Sequence, residues 1–302
     1  MSPKKVLITG ASGLVGSRLT ELLLKQGYEV AHLSRQAKAG RVPAFAWDVS
    51  AGTIDEKAFE GVDSVIHLAG AGVADKRWTV KRKKEILDSR VQSTRLLYQF
   101  LGRGNHQVSS FLSASAIGIY GFGLRDEVLT ESSNPGNDFL AEVVKAWENE
   151  VNAVQSLGIR TAILRIGIVL SKKGGALKEM ARPVQWGVGA PLGTGNQYLS
   201  WIHIDDLCRM FLFAKENNSV AGVYNAAGVQ PVTNKEFTRA IAVVLKKPMW
   251  LPPVPAFALK LVLGEMAGMV LNGSRVSSEK IQRAGFTFRF TDLHSALLDL
   301  LA

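Results

Sequence analysis

Short apolar runs alternate with helical periods through roughly the first half of the chain. Residues 6–9 are an apolar run that meets a glycine turn. Residues 14–26 then set Leu14, Val15, Leu19, Leu22 and Leu23 on one helical face. Gly27 closes that helix, as glycine does where the backbone must turn left-handed. Further runs predict strands at 29–33, 45–47, 64–68, 111–115 and 161–166, with helices over 77–102 and 138–157. Short buried strands alternating with helices predict an α/β fold: a doubly wound parallel sheet with helices on both faces.

After residue 170 the pattern changes. Glycines at 174, 175, 187, 189, 193 and 195 predict a loop-rich stretch over 174–200. A helix is expected after Asp205 and Asp206, with one of the two as its cap, and a short strand before Asn225. Thr233 and Glu236 have capping-box spacing ahead of a helix at 237–245. Pro248, Pro252, Pro253 and Pro255 precede an apolar helix at 256–271. Lys260 and Glu265 interrupt that apolar stretch, and a bilayer span wants about 20 nearly uncharged residues, so no membrane partner is expected. Lys4 and Lys5 lead straight into the first strand, which argues against a signal peptide. The domain division expected is 1–170 with 201–228 returning to it, and a smaller, mostly helical lobe from 171–200 and 229–302.

Composition changes little in this picture. The chain has 302 residues, 47% of them hydrophobic, which excludes a disordered chain. Its single cysteine, Cys208, excludes an internal disulfide and a cysteine zinc site; a core position in a reducing, cytoplasmic compartment is expected, and no metal. The net charge of +10 is uneven: residues 1–150 hold 19 basic and 17 acidic side chains, residues 151–302 hold 17 and 9. The one dense basic run, Lys81-Arg82-Lys83-Lys84, falls in a predicted helix and reads as a solvated face, so nucleic acid is not expected. A diffuse positive field suits an anionic small-molecule substrate, or solubility alone.

The chemistry begins at Thr9-Gly10-Ala11-Ser12-Gly13-Leu14-Val15-Gly16. Gly10 permits the tight turn, Gly13 lets the backbone approach a pyrophosphate, and Gly16 lets helix pack on strand. The free N–H groups of Leu14, Val15 and their neighbours at the helix start suit phosphate. At the end of the second strand an NAD site would place Asp or Glu. The chain has Ser34 and Arg35 there, a hydroxyl and a planar fork that suit a 2′-phosphate, so NADP is the expected cofactor. Asp48 either accepts from the adenine amino group or caps the next turn. Leu68, Ala69 and Gly70 close the fourth strand with small residues against which a ribose can lie, and His67 before them reads as packed.

The TGASGLVG turn, the HLAG strand end and the segment FLSAS leading to Tyr120-Gly121 resemble the extended short-chain dehydrogenase/reductase superfamily. WIHIDDL at 201–207 resembles the segment that re-enters the nucleotide domain there. A narrower resemblance is carried by Phe139-Leu140-Ala141, Lys145-Ala146-Trp147-Glu148, RIGIVL at 165–170, Gly174-Gly175-Ala176, Ser200-Trp201-Ile202-His203 and Leu263-Gly264-Glu265-Met266. These resemble an atypical subgroup, the NADP-dependent epimerase family of SDR39U1-like and YfcH-like proteins, over almost the whole chain. The resemblance implies a Rossmann-type fold and cofactor contacts from Glu85, Arg90 and Val169. Without it, Glu85 and Arg90 read as ordinary surface pairing.

One departure matters. The superfamily uses Tyr-x-x-x-Lys, in which the lysine and the nicotinamide lower the tyrosine pKa for proton exchange. Lys145 fits the lysine, but the residue four before it is Ala141. Ser115 resembles the serine that holds the substrate oxygen, with Ser113 as the alternative one register away. Tyr120 and Glu142 are candidates for the missing acid, and Lys145 for a ribose contact. The stretch 174–200 is expected to cover the nicotinamide, with Arg182, Trp186, Gln197, Tyr198 and Trp201 facing a substrate, or else to be a surface loop with core aromatics. Two functions follow. One is an NADP(H)-dependent oxidoreductase or epimerase acting on a sugar-nucleotide-like or small carbonyl/hydroxyl substrate; the other is an NADP(H)-binding regulatory or redox-sensing protein without turnover.

Overall fold

A computed structural model describes residues 4–302, those at 124–126 by backbone alone. In chain order the first half runs β1 (Lys5–Thr9), α1 (Leu14–Lys25), β2 (Glu29–Ser34), β3 (Ala44–Asp48), β4 (Thr53–Ile54), β5 (Val62–His67), α2 (Val80–Leu101), β6 (Ser110–Ala116), β7 (Leu124–Leu129), α3 (Phe139–Ala153) and β8 (Arg160–Ile166). The second half runs β9 (Ile168–Leu170), α4 (Ala176–Gln185), β10 (Tyr198–Leu199), β11 (Trp201–His203), α5 (Ile204–Glu216), β12 (Gly222–Ala226), β13 (Val232–Thr233), α6 (Asn234–Val244), α7 (Ala256–Leu263), α8 (Gly268–Leu271), β14 (Gly273–Val276), α9 (Glu279–Arg283) and α10 (Leu293–Leu301).

Eight strands form one sheet in the order β12-β8-β6-β5-β1-β2-β3-β4. All its pairs are parallel except the short β3–β4 edge. Helices cover both faces, so the central strands read as unbroken apolar runs: Val6, Leu7, Ile8, Val65, Ile66, Phe111, Leu112, Ile163 and Leu164 are all fully buried. The strand order reverses between β1 and β5. Loops leaving the carboxyl ends of these strands diverge there and open the crevice in which such sheets bind ligands. A second apolar core gathers Leu177 of α4, Trp201 of β11, Phe237 of α6 and Leu297 of α10.

Several expectations change on this frame. The glycine-rich stretch contains α4, because its glycines flank the helix and do not enter it. The apolar stretch at 256–271 is not one helix: Gly264, at φ +61°, breaks it into α7, a short 3-10 turn and α8. Strand β7 has no apolar run; it pairs only with β14 in a separate two-stranded ribbon, so nothing required one. Neither Asp205 nor Asp206 caps α5. His203 does, its Nδ1 accepting from Asp205 N at 3.1 Å. Asp205 binds Arg18 of α1 at 2.7 Å, and Asp206 accepts the backbone N–H groups of Arg289 and Phe290 at 2.9 Å. The basic run on α2 is only partly a solvated face: Arg82 is buried, pairing with Glu85 at 2.8 Å and bonding the Gly72 carbonyl. The capping box at Thr233 and Glu236 is present, and Cys208 is buried.

Candidate cofactor and active site

The crevice is built from glycines whose side chains have no room. Gly10 lies at φ +67°, and a Cβ there would stand 2.7 Å from the carbonyl of Leu68 at the end of β5. A Cβ on Gly16 would stand 2.5 Å from Gly10 O and 2.6 Å from Ala11 Cα, so α1 can pack this closely on the turn only as glycine. Gly13 is the N-cap of α1 and offers no side-chain cap. The first intrahelical bond runs from Ser17 N to Gly13 O at 3.0 Å, which leaves the N–H groups of Leu14, Val15 and Gly16 without a partner in the helix. Ser12 beside them is exposed. Such a cradle, with the positive end of the helix dipole behind it, fits a dinucleotide diphosphate. Gly175 lies over the same turn, a Cβ on it reaching 3.2 Å from Leu14 Cδ2, so the Gly174-Gly175 loop sits at the cradle.

Ser34 and Arg35 end β2 on the same side. Ser34 is half-buried; Arg35 is exposed and makes no ion pair or side-chain hydrogen bond among the described residues. Asp48 takes the turn-capping role: it accepts from Ser50 N at 2.8 Å, Ser50 Oγ at 2.6 Å and Ala51 N at 3.0 Å, which hold its carboxyl below the ordinary range.

The HLAG end of β5 is clamped from beneath. Thr9 Oγ1 accepts from both Leu68 N and Ala69 N at 3.1 Å. Its own hydrogen is therefore directed to His67 Nδ1, 2.8 Å away. His67 Nε2 then carries the ring hydrogen toward Thr94 Oγ1 at 3.0 Å, and Thr94 donates to Arg90 O at 2.8 Å. The ring is neutral and fully buried, and burial pushes its pKa down to about 3. His67 is thus packed, as its strand position suggested, and it orients the strand end.

Glu85 and Arg90 part company. Glu85 is exposed and pairs with Arg82. Arg90 folds back under Gly70, where a Cβ would meet its guanidinium at 3.1 Å. It bonds the carbonyls of Ala71 at 3.0 Å and Ile86 at 2.9 Å and stacks 5.2 Å from the Trp147 ring. It has no carboxylate partner among the described residues, and burial pushes it down to about 10. The Trp147 indole N–H is likewise buried without a partner. An uncompensated cation and a free donor beside the strand end suit an anionic or oxygen-rich ligand. Val169, in β9, is half-buried.

The expected acid–base side is different. Ser115 is buried and donates to Glu148 Oε1 at 2.6 Å, so its hydroxyl hydrogen is taken up inside the protein. Glu148 is held bidentately by Arg165, at 2.9 and 2.8 Å. Burial opposes the Arg165 charge, and the bonds to Glu148 outweigh it. Arg165 also reaches Tyr120 OH at 3.2 Å, and Tyr120 donates to Asn225 Oδ1 at 2.7 Å. Tyr120 is fully buried, and burial raises its pKa. Ser113 is buried as well, donating to Ala114 O at 2.8 Å. Ala141 is fully buried in the vacant tyrosine place, and Lys145 pairs with Glu142 near the surface. The pocket residues proposed from 174–200 scatter: Trp201 is core with its indole N–H on Gln230 O, Gln197 bonds Leu192 O and Val270 O, Trp186 is exposed, and Arg182 pairs with Glu179. The Glu148–Arg165 pair was missed, although KAWE and RIGIVL contain both residues. Nothing in strand or helix spacing says that a buried Arg on β8 faces a buried Glu on α3.

Known proteins resemble this chain along its length. Residues 6–227 match the NAD dependent epimerase/dehydratase family, and residues 254–300 match a domain of unknown function, DUF1731. Epimerase family protein YfhF of Bacillus subtilis is 37% identical over 98% of both chains. Epimerase family protein SAR0825 of Staphylococcus aureus is 36% identical over 99% of both. Human epimerase family protein SDR39U1, crystallised with NADPH, superposes with a TM-score of 0.87 at 29% identity, covering 98% of each chain. A nucleoside-diphosphate sugar epimerase from Corynebacterium glutamicum gives 0.80 at 32% identity, covering 98% of this chain and 57% of that one.

Proposed function

The chain belongs to the NAD dependent epimerase/dehydratase family, and from that premise we propose that it binds NADP(H) in the crevice between β1 and β5. We further propose that it acts as an oxidoreductase or epimerase on a small, anionic carbonyl or hydroxyl compound of sugar-nucleotide-like kind. The observation that carries the cofactor reading is the glycine cradle with a free Arg35 beside it: the cradle takes the diphosphate and the guanidinium takes the 2′-phosphate. The human relative's NADPH supports the same choice.

When bound, the nicotinamide supplies hydride exchange with a carbon bearing a hydroxyl or keto oxygen. The chain's own groups do the rest. N–H groups at the start of α1 bind the diphosphate. Leu68, Ala69 and Gly70 present a flat backbone edge to the ribose. Arg90 would neutralise negative charge from beneath Gly70, and Val169 of β9 would line the cofactor. Lys145 would hold ribose hydroxyls, and Glu142, its ion-pair partner next to Ala141 in the chain, would hold a proton. The cofactor half is 1–170 with 201–228, and the substrate lobe is 171–200 with 229–302.

A second reading, cofactor binding without turnover, is favoured by the burial of the Ser115 and Tyr120 hydroxyls and by Ala141 in the tyrosine place. Titration with NADPH and NADH, followed by protein fluorescence, tests the cofactor; equal affinity for the two sinks the NADP assignment. Absorbance at about 340 nm over a panel of carbonyl compounds and sugar nucleotides tests turnover. Any substrate-dependent loss of NADPH eliminates the second reading.

A further inference from the structure

Eight of the eleven exposed large apolar side chains among the described residues lie between the end of α4 and the end of α7, and six of these gather in the segments at its two ends: Trp186, Val188, Trp250, Phe257, Leu261 and Val262. Five of these six are at least 70% exposed: Trp186 at 72%, Trp250 at 70%, Phe257 at 74%, Leu261 at 78% and Val262 at 72%. They belong to one region. Val254 N donates to Pro191 O at 2.8 Å and Gly193 N to Val254 O at 2.9 Å, which stitches the segment after α4 to the segment before α7. No side chain of α7 is buried, and Phe257, Lys260 and Leu261 share a face at helical spacing. So many exposed apolar side chains on two joined segments mark a place that something covers.

Charge says what covers it. Lys235, Arg239, Lys246, Lys247 and Lys260 make no ion pair or side-chain hydrogen bond among the described residues. The acids around them are engaged: Glu179 with Arg182, Glu236 in its capping box, Glu265 with Lys83. Lys246 and Lys247 lie four and three residues before Trp250, and Lys260 sits on α7 itself. Exposed apolar side chains, two tryptophans and lysines without acidic partners are what the headgroup layer of an anionic bilayer takes up. We infer that this face docks the protein on an anionic lipid bilayer, with α7 lying in the plane of the headgroups. A second copy would set like charges against each other. The expectation of no membrane partner rested on the lack of a span. Among the described residues no helix is long and apolar enough to cross a membrane, and surface docking needs none.

The test is sedimentation of the full chain with vesicles of phosphatidylcholine, alone or mixed with phosphatidylserine. Binding is expected with the mixed vesicles only and is expected to fall as salt rises. Phe257→Ser and Leu261→Ser should each weaken it about tenfold, and Lys260→Gln about fivefold. All three side chains are exposed, so the melting curve should be unchanged, and that curve is measured alongside. No sedimentation with mixed vesicles, equal binding to neutral ones, or binding indifferent to the substitutions overturns the proposal. So does a concentration-dependent dimer, seen by light scattering, that Phe257→Ser abolishes while vesicle binding is absent.

Discussion

His67 shows how one buried residue can shape a ligand site without touching the ligand. Its neutral ring sits between two threonine hydroxyls, and through Thr9 it fixes the N–H groups of Leu68 and Ala69. Its folded pKa of about 3 lies below the ordinary value of 6.5, so between these limits the unfolded chain binds the extra proton. The stability this group contributes is complete above pH about 6.5 and is lost as pH falls toward about 3, by up to about 1.4 kcal/mol per pH unit. Burial also lowers His32 and His203, which adds to the slope. Urea unfolding between pH about 7 and about 5 should therefore show stability falling with acid, and His67→Gln should flatten that fall. An unchanged slope in the variant removes His67 from the account. Arg35 is the opposite case, exposed and free to meet a ligand. Arg35→Ala should weaken NADPH at least about tenfold, as expected for a lost charge-assisted bond, and leave NADH affinity nearly unchanged. Loss of both together would mean that Arg35 supports the fold of the site instead. Both residues could be read from the chain, Arg35 from its place at a strand end and His67 from its apolar strand. The clamp from His67 through Thr9 could not, because it joins side chains 58 residues apart.

At the scale of elements, the glycines of the first turn separate into packing and conformational roles. Gly16→Ala would drive a methyl group into Gly10 O and Ala11, so α1 must shift away from β1. The expected cost is about 1–3 kcal/mol of stability, with NADPH binding at least about tenfold weaker, because the helix start moves with it. Gly27, at φ +82° with nothing within 4 Å of a Cβ, makes the control. Gly27→Ala should cost about 1 kcal/mol in backbone strain and leave NADPH affinity intact. Denaturant melts and cofactor titration of the two variants check the pair, and equal cofactor affinities would refute the packing argument. The elements that periodicity missed had their own reasons. α4 was hidden by flanking glycines, and β7 pairs in a ribbon that needs no apolar run. The long apolar stretch was split by Gly264, whose positive φ no pattern of hydrophobic positions reports.

For the whole molecule, cofactor binding should appear as global stability. α1, β1, β5 and α5 share one core, and Arg18 on α1 ties to Asp205 on α5. A ligand held at their junction stabilises only the folded chain. NADPH at about a hundredfold above its Kd should add about 2.7 kcal/mol, or about 4 °C in Tm for a chain of this size. Differential scanning measurements with NADPH and NADH check it, and no shift with NADPH would contradict a site in the crevice. The alternation of apolar runs, the glycine turn and the Ser34-Arg35 end were enough to predict the parallel sheet, a dinucleotide turn at the start of α1 and NADP as the expected cofactor, because each depends on local periodicity or on residues close in the chain. The acid–base side was decided only by folding. Whether the hydroxyls of Ser115 and Tyr120 meet a substrate or the Glu148–Arg165 pair depends on which side chains three strands and a helix bring face to face. Those contacts span 17 to 105 residues of separation. The apolar face at α7 was likewise invisible in composition: a leucine in the chain is the same residue whether it is later buried or left outside. Only packing separates the two.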